Sequence, residues 1–303
     1  MKQVKLGNTD LIISEVCLGA DGFGSKLPRD AAFEVLDRFR DGGGNFIDTA
    51  NIYVRNFESG YSLSERILGE YLASRGKDSL IIATKGAHPN PKTMHTSRIS
   101  HDEIARDIEE SLMSLGLDHI DFYWLHRDNP DMPIGEIIDI MEGFVSEGKI
   151  RYYGGSNYAR ERISEAAGYA KAHGLSGFSA ISNMWSPAVQ NESSPLSKDD
   201  TLVCLNDSQL DVFESSDMAF VPYNSTAKGW FAKYSSGIKN ERLDQVFVNE
   251  TNLSLLHNLE KTASEEKISV QTALLRYIRA YPMQIIPVTS VSNLKQLDDI
   301  LAV

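Results

Sequence analysis

The sequence has few cysteines and no pattern that indicates a metal site. Cys17 and Cys204 are the only two cysteines in 303 residues, and they lie far apart with no Cys-x-x-Cys or Cys/His spacing. Such spacing predicts neither a disulfide framework nor a structural zinc site. The seven histidines show no spacing typical of metal ligands, so we expect no bound metal. A reducing, cytoplasmic environment fits this composition best.

Positive charge and long apolar runs are also scarce. The 30 Lys and Arg residues are scattered singly among 42 Asp and Glu, which gives a formal net charge of −12. Because such a chain repels a phosphate backbone, nucleic acid is not an expected partner. No stretch approaches the roughly 20 apolar residues of a membrane-spanning helix, and the N-terminus lacks an apolar signal core. We therefore expect neither a membrane partner nor export.

The sequence does contain a regular alternation of short apolar runs and helical patterns. This alternation is typical of βαβ units with a parallel sheet, and about eight units predict an α/β fold of the (β/α)8 TIM barrel type, a single domain over residues 1–303. The runs are rich in Ile, Leu, Val and Phe, as expected for strands buried on both faces. The predicted strands are residues 15–18, 45–49, 80–85, 120–126, 150–156, 179–184, 219–223 and 284–287.

Several helical patterns carry recognisable end signals. Ser100 and Glu103 form a capping box, and Gly116 ends the same apolar pattern, which predicts a helix between them. Another helix is expected after Pro133. The remaining predicted helices are near residues 30–40, 253–265, 270–280 and 294–301.

Three longer segments, residues 87–98, 186–206 and 224–252, follow predicted strands. Loops after the strands form the catalytic mouth of a (β/α) barrel, so we expect these segments to contact substrate and cofactor. Aromatic residues with an amide and a histidine favour a polyol or sugar-like substrate. The candidate lining residues are Asn56, Phe57, His88, Trp185 and Trp230.

Ionisable side chains stand at the ends of three successive predicted strands. Asp48, Lys85 and His126 each complete an apolar run, and Tyr53 follows Asp48 on the next loop. Each residue alone has an ordinary explanation as a turn cap, a solvated loop residue or an interface aromatic. Their coincidence at equivalent positions instead predicts a catalytic site at the mouth of the barrel.

Around these four residues the sequence resembles the aldo-keto reductase family. The resemblance spans nearly the whole chain and is closer to the bacterial and potassium-channel-β-subunit-like branches. It implies an NAD(P)-dependent oxidoreductase that reduces a small-molecule aldehyde or ketone to an alcohol, or catalyses the reverse reaction. The matching segments, in the family's order, are Phe46-Ile47-Asp48-Thr49-Ala50-Asn51-Ile52-Tyr53, Ser64-Glu65 with Leu68-Gly69, Ala83-Thr84-Lys85, residues 121–126, and Gly154-Gly155-Ser156-Asn157.

The resemblance implies a catalytic role for each member of the tetrad Asp48, Tyr53, Lys85 and His126. Hydride delivery to a carbonyl leaves an oxyanion that needs a proton, and Tyr53 would donate it. The Lys85 ammonium would lower the pKa of Tyr53, and Asp48 would keep that ammonium charged and oriented. His126 would orient and polarise the carbonyl oxygen through a ring N–H.

The resemblance also implies a set of cofactor contacts. Ser156 and Asn157 match the pair that binds the nicotinamide carboxamide, and Ser182 stands where the family often has Gln, which shortens that contact or transfers it to Asn183. Tyr223 matches the aromatic residue that stacks on the nicotinamide ring. The other implied contacts are Asn224, Ser225, Ala227, Lys228 and Gly229 at the diphosphate, and Ser290, Ser292 and Gln296 at the adenosine end.

The choice between the two nicotinamide cofactors depends on one short segment. The family resemblance implies NADPH, but Ser292 and Asn293 stand where many relatives place Arg or Lys, and Lys295 is the nearest cation in sequence. A 2′-phosphate is held best by Arg or Lys. NADH therefore stays open as the cofactor.

Two other functions stay open beside the oxidoreductase. Relatives on the channel-β-like branch suggest a cofactor-sensing regulatory or binding subunit, although an intact tetrad disfavours a purely structural role. A Schiff-base aldolase would use Lys85 as its nucleophile. That chemistry would not account for Asp48, Tyr53 and the Ser156-Asn157 pair together.

Overall fold

A computed structural model describes residues 1–56, 60–214 and 216–303 of the chain. Short strands and longer helices alternate through these residues. In chain order, the strands of the described residues are β1 (Gln3–Lys5), β2 (Ile12–Ser14), β3 (Cys17–Gly19), β4 (Phe46–Asp48), β5 (Arg55–Asn56), β6 (Tyr61–Ser62), β7 (Ile81–Gly86), β8 (Ile120–Leu125), β9 (Ile150–Ser156), β10 (Ala180–Ser182), β11 (Ala219–Phe220) and β12 (Val288–Thr289).

Eight of these strands form a parallel sheet in the order β11-β10-β9-β8-β7-β4-β3-β12. The ring closes between β11 and the segment just before β12, where Phe220 forms a parallel bridge with Ile285. The amide of Ile286 also donates to the carbonyl of Phe220 at 2.8 Å. The predicted (β/α)8 barrel is therefore confirmed.

Helices surround this barrel. Helix α3 begins after Ser100, whose side chain accepts from the Glu103 amide, and ends at Gly116 in the left-handed conformation, as predicted. No helix of the described ranges is long and apolar enough to cross a membrane. The helices of these ranges are α1 (Arg29–Asp41), α2 (Leu63–Arg75), α3 (His101–Leu115), α4 (Ile134–Ser146), α5 (Arg160–His173), α6 (Asp211–Glu214), α7 (Trp230–Ser235), α8 (Glu241–Phe247), α9 (Glu250–Glu266), α10 (Val270–Arg279) and α11 (Leu294–Leu301).

The predicted position of the last strand, residues 284–287, is wrong. Strand β12 instead covers Val288–Thr289 and pairs with β3. Pro287 has no N–H to donate to a ladder. The side chain of Gln284 accepts from the Gly7 amide at 2.9 Å and donates to the Lys5 carbonyl at 2.6 Å, so this residue joins the chain to its N-terminal segment.

The prediction of a long loop at residues 224–252 is also wrong, because the segment contains α7 and α8. Asn240 caps α8 by accepting from the Leu243 amide at 3.1 Å. Trp230 and Phe247 are buried and supply the apolar contacts that hold these helices against the barrel. The segments 87–98 and 186–206 contain no helix or named strand.

Two antiparallel hairpins were not predicted from the sequence. Strands β1 and β2 form one of them, and its loop buries Leu6 and Leu11 in the same apolar cluster as the barrel residue Phe122. Strands β5 and β6 form the other, on the loop that carries Tyr53. Each strand has only two or three residues, too few for a periodic signal.

A close approach inside the barrel leads to a stability prediction. Gly154→Ala would place a Cβ 2.1 Å from the Ala180 carbonyl oxygen and 2.8 Å from the ring of Trp124. Because backbone and a buried indole must shift, we expect the free energy of unfolding to fall by about 3 kcal/mol. Urea titration followed by circular dichroism measures this change.

The matched control for this prediction is Gly168→Ala in the middle of α5. Apart from the adjacent residues and the backbone of α5 itself, no atom lies within 4 Å of the Cβ that this change adds. Alanine is the better helix former there, so stability should rise by about 1 kcal/mol. Equal unfolding midpoints for the two variants would contradict the steric argument.

Candidate active site

The ammonium of Lys85 joins three groups at the mouth of the barrel. Its Nζ donates to Asp48 Oδ2 at 2.5 Å, to the Thr49 carbonyl at 2.9 Å and to Tyr53 Oη at 3.2 Å. Lys85 and Asp48 are buried, and Tyr53 is half-buried. All three N–H groups of the ammonium are therefore used, which fixes the position of the tyrosine hydroxyl relative to the carboxylate.

The strand register explains why these residues meet. Asp48 ends β4 beside Ala83 of β7, and Lys85 lies two residues further along β7, opposite Trp124. His126 follows the end of β8 on the same side of the barrel. The structure thus brings together the four residues that the sequence singled out.

Burial controls the ionisation of this tetrad. It raises the pKa of Tyr53 above its ordinary value, and the nearby Lys85 charge offsets only part of that rise. The net direction is opposite to the predicted lowering, although Lys85 itself acts as predicted. Burial alone would lower the pKa of Lys85, but Asp48 and Tyr53 outweigh it and raise that pKa. At neutral pH the site therefore holds a protonated phenol beside a charged ammonium.

His126 is a neutral imidazole at the edge of the tetrad. Burial lowers its pKa well below the ordinary range, and the charges of His88, Lys85 and Arg127 lower it further. Its ring lies edge-on to Tyr53, with ring centroids 5.9 Å apart. Nδ1 is buried without a hydrogen-bond partner among the described residues. A neutral ring can donate an N–H to a carbonyl oxygen.

The residues predicted to hold a carboxamide form a dense hydrogen-bond cluster. The amide group of Asn157 donates to the His126 carbonyl at 3.2 Å and to Ser156 Oγ at 3.1 Å. Its Oδ1 accepts from Tyr223 Oη at 2.6 Å and from the Val203 amide at 3.1 Å. The predicted contacts Ser156, Asn157 and Tyr223 therefore lie together beside His126.

Asn183 stabilises the backbone next to this cluster through three hydrogen bonds. Its Oδ1 accepts from the amides of Asn157 and Tyr158, and its Nδ2 donates to the Tyr158 carbonyl. These bonds hold Asn157 at a φ of 64°, a left-handed conformation that Asn tolerates better than most residues. The Asn183 side chain therefore binds backbone groups of Asn157 and Tyr158. The neighbouring Ser182 Oγ is buried without a partner among the described residues.

A groove with a volume of about 660 Å³ runs from the tetrad to the first turn of α11. Two of its walls are the 224–229 turn, where Ala227, Lys228 and Gly229 have positive φ, and the segment after β12. Ser156, Asn157, Ser182, Ser225 and Ala227 are buried and do not line it. The predicted residues that do line it are Asp48, Tyr53, Tyr223, Asn224, Lys228, Gly229, Ser290, Ser292 and Gln296.

Four cations beside Asp21 also line this groove, and sequence reasoning singled out only one of them. They are Lys228 and three residues that it missed, namely Lys26, Lys233 and Arg242. Burial lowers the pKa of Lys228, and the charges of the other three lower it further. Within the described residues none of the four forms an ion pair with a carboxylate. Lys228 and Lys233 lie five residues apart, and the Lys233 ammonium donates to the Lys228 carbonyl at 2.8 Å. Lys26 and Arg242 come from two other segments, so no spacing in the sequence indicates that all four meet.

The segment after β12 has a structural reason to lack a basic residue. Asn293 caps α11, because its Oδ1 accepts from the Gln296 amide at 3.0 Å. The Gln296 side chain accepts from the Ser292 amide at 2.8 Å. Ser290 Oγ donates to Asp21. Lys295 is exposed and does not line the groove.

Of the three predicted pocket-lining side chains that the structure describes, only His88 is found near the tetrad. The ring centroid of His88 lies 4.7 Å from that of His126. Trp185 and Trp230 do not line the pocket but are buried in the apolar core, Trp185 against Phe220. The prediction fails for both because large apolar side chains bury wherever a core is near. Phe57 and the side chain of Asn56 lie outside the described residues.

Comparison with known proteins relates the chain to one family. Residues 15–303 match the model of the aldo/keto reductase family. The chain is 28% identical to an uncharacterized oxidoreductase, YrpG, of Bacillus subtilis, over 99% of this chain and 90% of that protein. It is 26% identical to norsolorinic acid reductase B of Aspergillus parasiticus (94% and 75%) and 26% identical to the aryl-alcohol dehydrogenase [NADP(+)] of Phanerodontia chrysosporium (84% and 69%).

Proposed function

The chain belongs to the aldo/keto reductase family and is an NAD(P)H-dependent oxidoreductase; from this premise we propose that it reduces an aldehyde or ketone with Tyr53 as the proton donor and with NADPH as its preferred cofactor. The observation that carries the proposal is the bond of 3.2 Å from the Lys85 ammonium to the Tyr53 hydroxyl. It couples the proton donor to a buried positive charge that can stabilise the phenolate left behind.

Four side chains have distinct roles in the proposed reaction. Tyr53 donates its phenolic proton to the carbonyl oxygen of the substrate, which becomes the alcohol oxygen. Lys85 stabilises the resulting phenolate, and Asp48 holds the ammonium charged and in place. His126 donates a ring N–H to the same carbonyl oxygen and lowers the energy of the charge that develops there. In the oxidation direction the phenolate of Tyr53 accepts the proton.

The residues present fit a nicotinamide dinucleotide. Ser182 Oγ and Thr289 Oγ1 are buried hydroxyls without partners in the described residues; Thr289 lines the groove, whereas Ser182 pairs with Ser156 in the sheet and does not line it. Buried polar groups are normally hydrogen-bonded, so the Thr289 hydroxyl in the groove wall is available to a ligand. Ser182 and Tyr223 would hold the nicotinamide, and the 224–229 turn would hold the diphosphate. Once bound, the reduced nicotinamide supplies a hydride to the carbonyl carbon.

The state of Lys85 disfavours the aldolase alternative. A Schiff-base lysine must lose its proton to attack a carbonyl, which requires a lowered pKa. Asp48 and Tyr53 instead raise the pKa of Lys85 despite its burial. The ammonium also has no N–H free for a substrate, because all three are bonded within the tetrad.

We expect NADPH to bind more tightly than NADH, because the groove holds four cations without carboxylate partners. One relative is named for NADP(+), which supports the same preference. A charge-assisted hydrogen bond to a phosphate contributes about 1.5–3 kcal/mol, so the affinity ratio should be at least about tenfold. Titration with each nucleotide, followed by quenching of tryptophan emission, measures this ratio and tests the proposed oxidoreductase.

Substitutions identify which cations create the preference. Arg242→Ala and Lys228→Ala should lower the NADPH to NADH ratio, whereas Lys295→Ala, outside the groove, should leave it at the wild-type value. If both nucleotides bind equally, the NADPH preference is wrong and the cations serve the shared diphosphate. If a folded sample binds neither nucleotide, the proposed function itself is wrong.

A further inference from the structure

We propose that Glu110 on α3 is a positioning residue: it fixes the turn that carries Tyr53 and so holds the Tyr53 hydroxyl at the Lys85 ammonium. It acts through Asn51 and Arg55, to which it is hydrogen-bonded. This inference rests on the proposed function and adds a residue to it. Three observations carry it: the hydrogen bonds of Glu110, the backbone conformation directly after Tyr53, and the place of Glu110 outside the groove.

One carboxylate oxygen of Glu110 binds both ends of this turn. Glu110 Oε2 accepts from Arg55 Nη2 at 2.8 Å and from Asn51 Nδ2 at 3.3 Å. Arg55 Nη1 also donates to Asn51 Oδ1, which closes a triangle of three hydrogen bonds. Asn51 precedes Tyr53 by two residues, and Arg55 follows it by two. The proton donor therefore lies in the middle of a segment whose ends are tied to each other and to α3.

The same turn is joined to the strand of the tetrad lysine. The Asn51 amide donates to the Lys85 carbonyl at 2.9 Å. Asn51 is buried, and the side chains of Arg55 and Glu110 are only 16% and 25% exposed, so little water competes for these bonds. Hydrogen bonds to charged groups are about twice as strong as neutral ones. Glu110 is thus connected to the backbone of Lys85 through a single residue, Asn51.

The backbone directly after Tyr53 is held in a strained conformation. Val54 has a φ of 48°, in the left-handed region that β-branched residues rarely adopt. Such a conformation costs free energy and persists only where surrounding contacts enforce it. The next residue, Arg55, pairs with Ser62 in the hairpin and is tied to α3 by Glu110. Without Glu110 one of these contacts is lost, so we expect the turn to relax and Tyr53 to leave its present position.

Glu110 lies away from the groove that Tyr53 lines. It borders a separate cavity of about 250 Å³, together with Asn51, Arg55 and Lys85. Besides burial, the strongest influence on the pKa of Tyr53 is the charge of Lys85, which lowers it. We therefore assign to Glu110 an effect on Tyr53 through the position of the turn.

The test compares Glu110→Ala and Glu110→Gln with the wild type in the reduction of propanal, glyceraldehyde and benzaldehyde. A small displacement of a reacting group costs up to about a hundredfold in rate, so Glu110→Ala should lower kcat at least about tenfold, by the same factor for each aldehyde. KM and the affinity for NADPH should change less than about twofold, because Glu110 does not line the groove. Glu110→Gln keeps an acceptor oxygen and should recover part of kcat.

The pH profile separates positioning from a loss of folded protein. Because Lys85 lowers the pKa of Tyr53, a turn that moves the phenol away from the ammonium raises that pKa. The alkaline limb of the reduction rate should therefore move to higher pH in Glu110→Ala, and less in Glu110→Gln. Partial unfolding would lower the rate and leave the limb in place. The double variant Arg55→Met with Glu110→Ala leaves no unpaired charge and should show the same shift.

The control variant is Glu109→Ala, which removes the neighbouring carboxylate on the same helix. Glu109 is exposed and pairs with Lys149 at 2.9 Å. Its loss should leave both kcat and the alkaline limb at their wild-type values.

Each other outcome overturns the inference. A wild-type kcat in Glu110→Ala, or a reduced kcat without a shift of the alkaline limb, would remove Glu110 from the positioning role. Changes in KM that differ from one aldehyde to the next would make Glu110 part of a substrate-binding wall instead. In all these cases the proposed function stands, because the wild type turns over. Absence of turnover with all three aldehydes, despite NADPH binding, would count against the proposed function and would overturn this inference with it.

Discussion

Tyr53→Phe is expected to lower kcat for carbonyl reduction by at least about a thousandfold. The ring stays in place, so the edge-on contact with His126 survives, but the proton that the alkoxide needs is gone. Binding of NADPH should change less than about twofold, because no phosphate contact is lost. Steady-state oxidation of NADPH and quenching of tryptophan emission measure the two effects separately.

Tyr61→Phe is the matched control for this change. Tyr61 lies on β6 of the same loop, and its hydroxyl contacts Met113 at the surface, outside the groove. The Tyr61→Phe variant should retain wild-type turnover. If Tyr53→Phe keeps its activity, the proton must come from another group, and the proposed mechanism is wrong.

Lys85→Met should also reduce turnover by at least about a thousandfold. The change removes the donor to the Tyr53 hydroxyl and the partner of a buried carboxylate. Without the ammonium the pKa of Tyr53 rises further above its already raised value, so the phenolate formed during reduction is less stable. The double variant Lys85→Met with Asp48→Asn avoids an unpaired buried charge and should be equally inactive.

The pH profile separates this explanation from simple misfolding. Reduction needs the protonated phenol, so its rate should hold through neutral pH and fall as the pH rises through the raised pKa of Tyr53. Oxidation needs the phenolate and should rise over the same range. In any residual activity of Lys85→Met the alkaline limb should move to higher pH. Wild-type turnover in Lys85→Met, or a substrate adduct trapped on Lys85 by borohydride, would contradict the assigned role.

The barrel and the tetrad could be predicted because both follow from local rules. Buried strands are apolar, so an ionisable residue at the end of a strand stands out, and parallel strands bring such residues to one side. Asp48, Lys85 and His126 satisfy both conditions. Asp21, two residues beyond β3, could have been found by the same reasoning.

The remaining features depend on contacts between distant segments. Lys26 and Arg242 meet at the groove although 216 positions separate them, and each alone is indistinguishable from an ordinary surface cation. The direction of the Tyr53 pKa shift depends on the burial of the phenol, because the rise caused by burial exceeds the lowering caused by the Lys85 charge.

The four unpaired cations of the groove also affect how fast a dinucleotide arrives. The formal charge of −12 on the chain repels an anionic nucleotide while the four cations attract it, and at physiological salt both effects are largely screened beyond the Debye length of about 8 Å. Added salt weakens both the distant repulsion that slows the encounter and the local attraction that delays escape. Association and release therefore accelerate together, and an equilibrium affinity measured across a range of salt concentrations conceals most of the change.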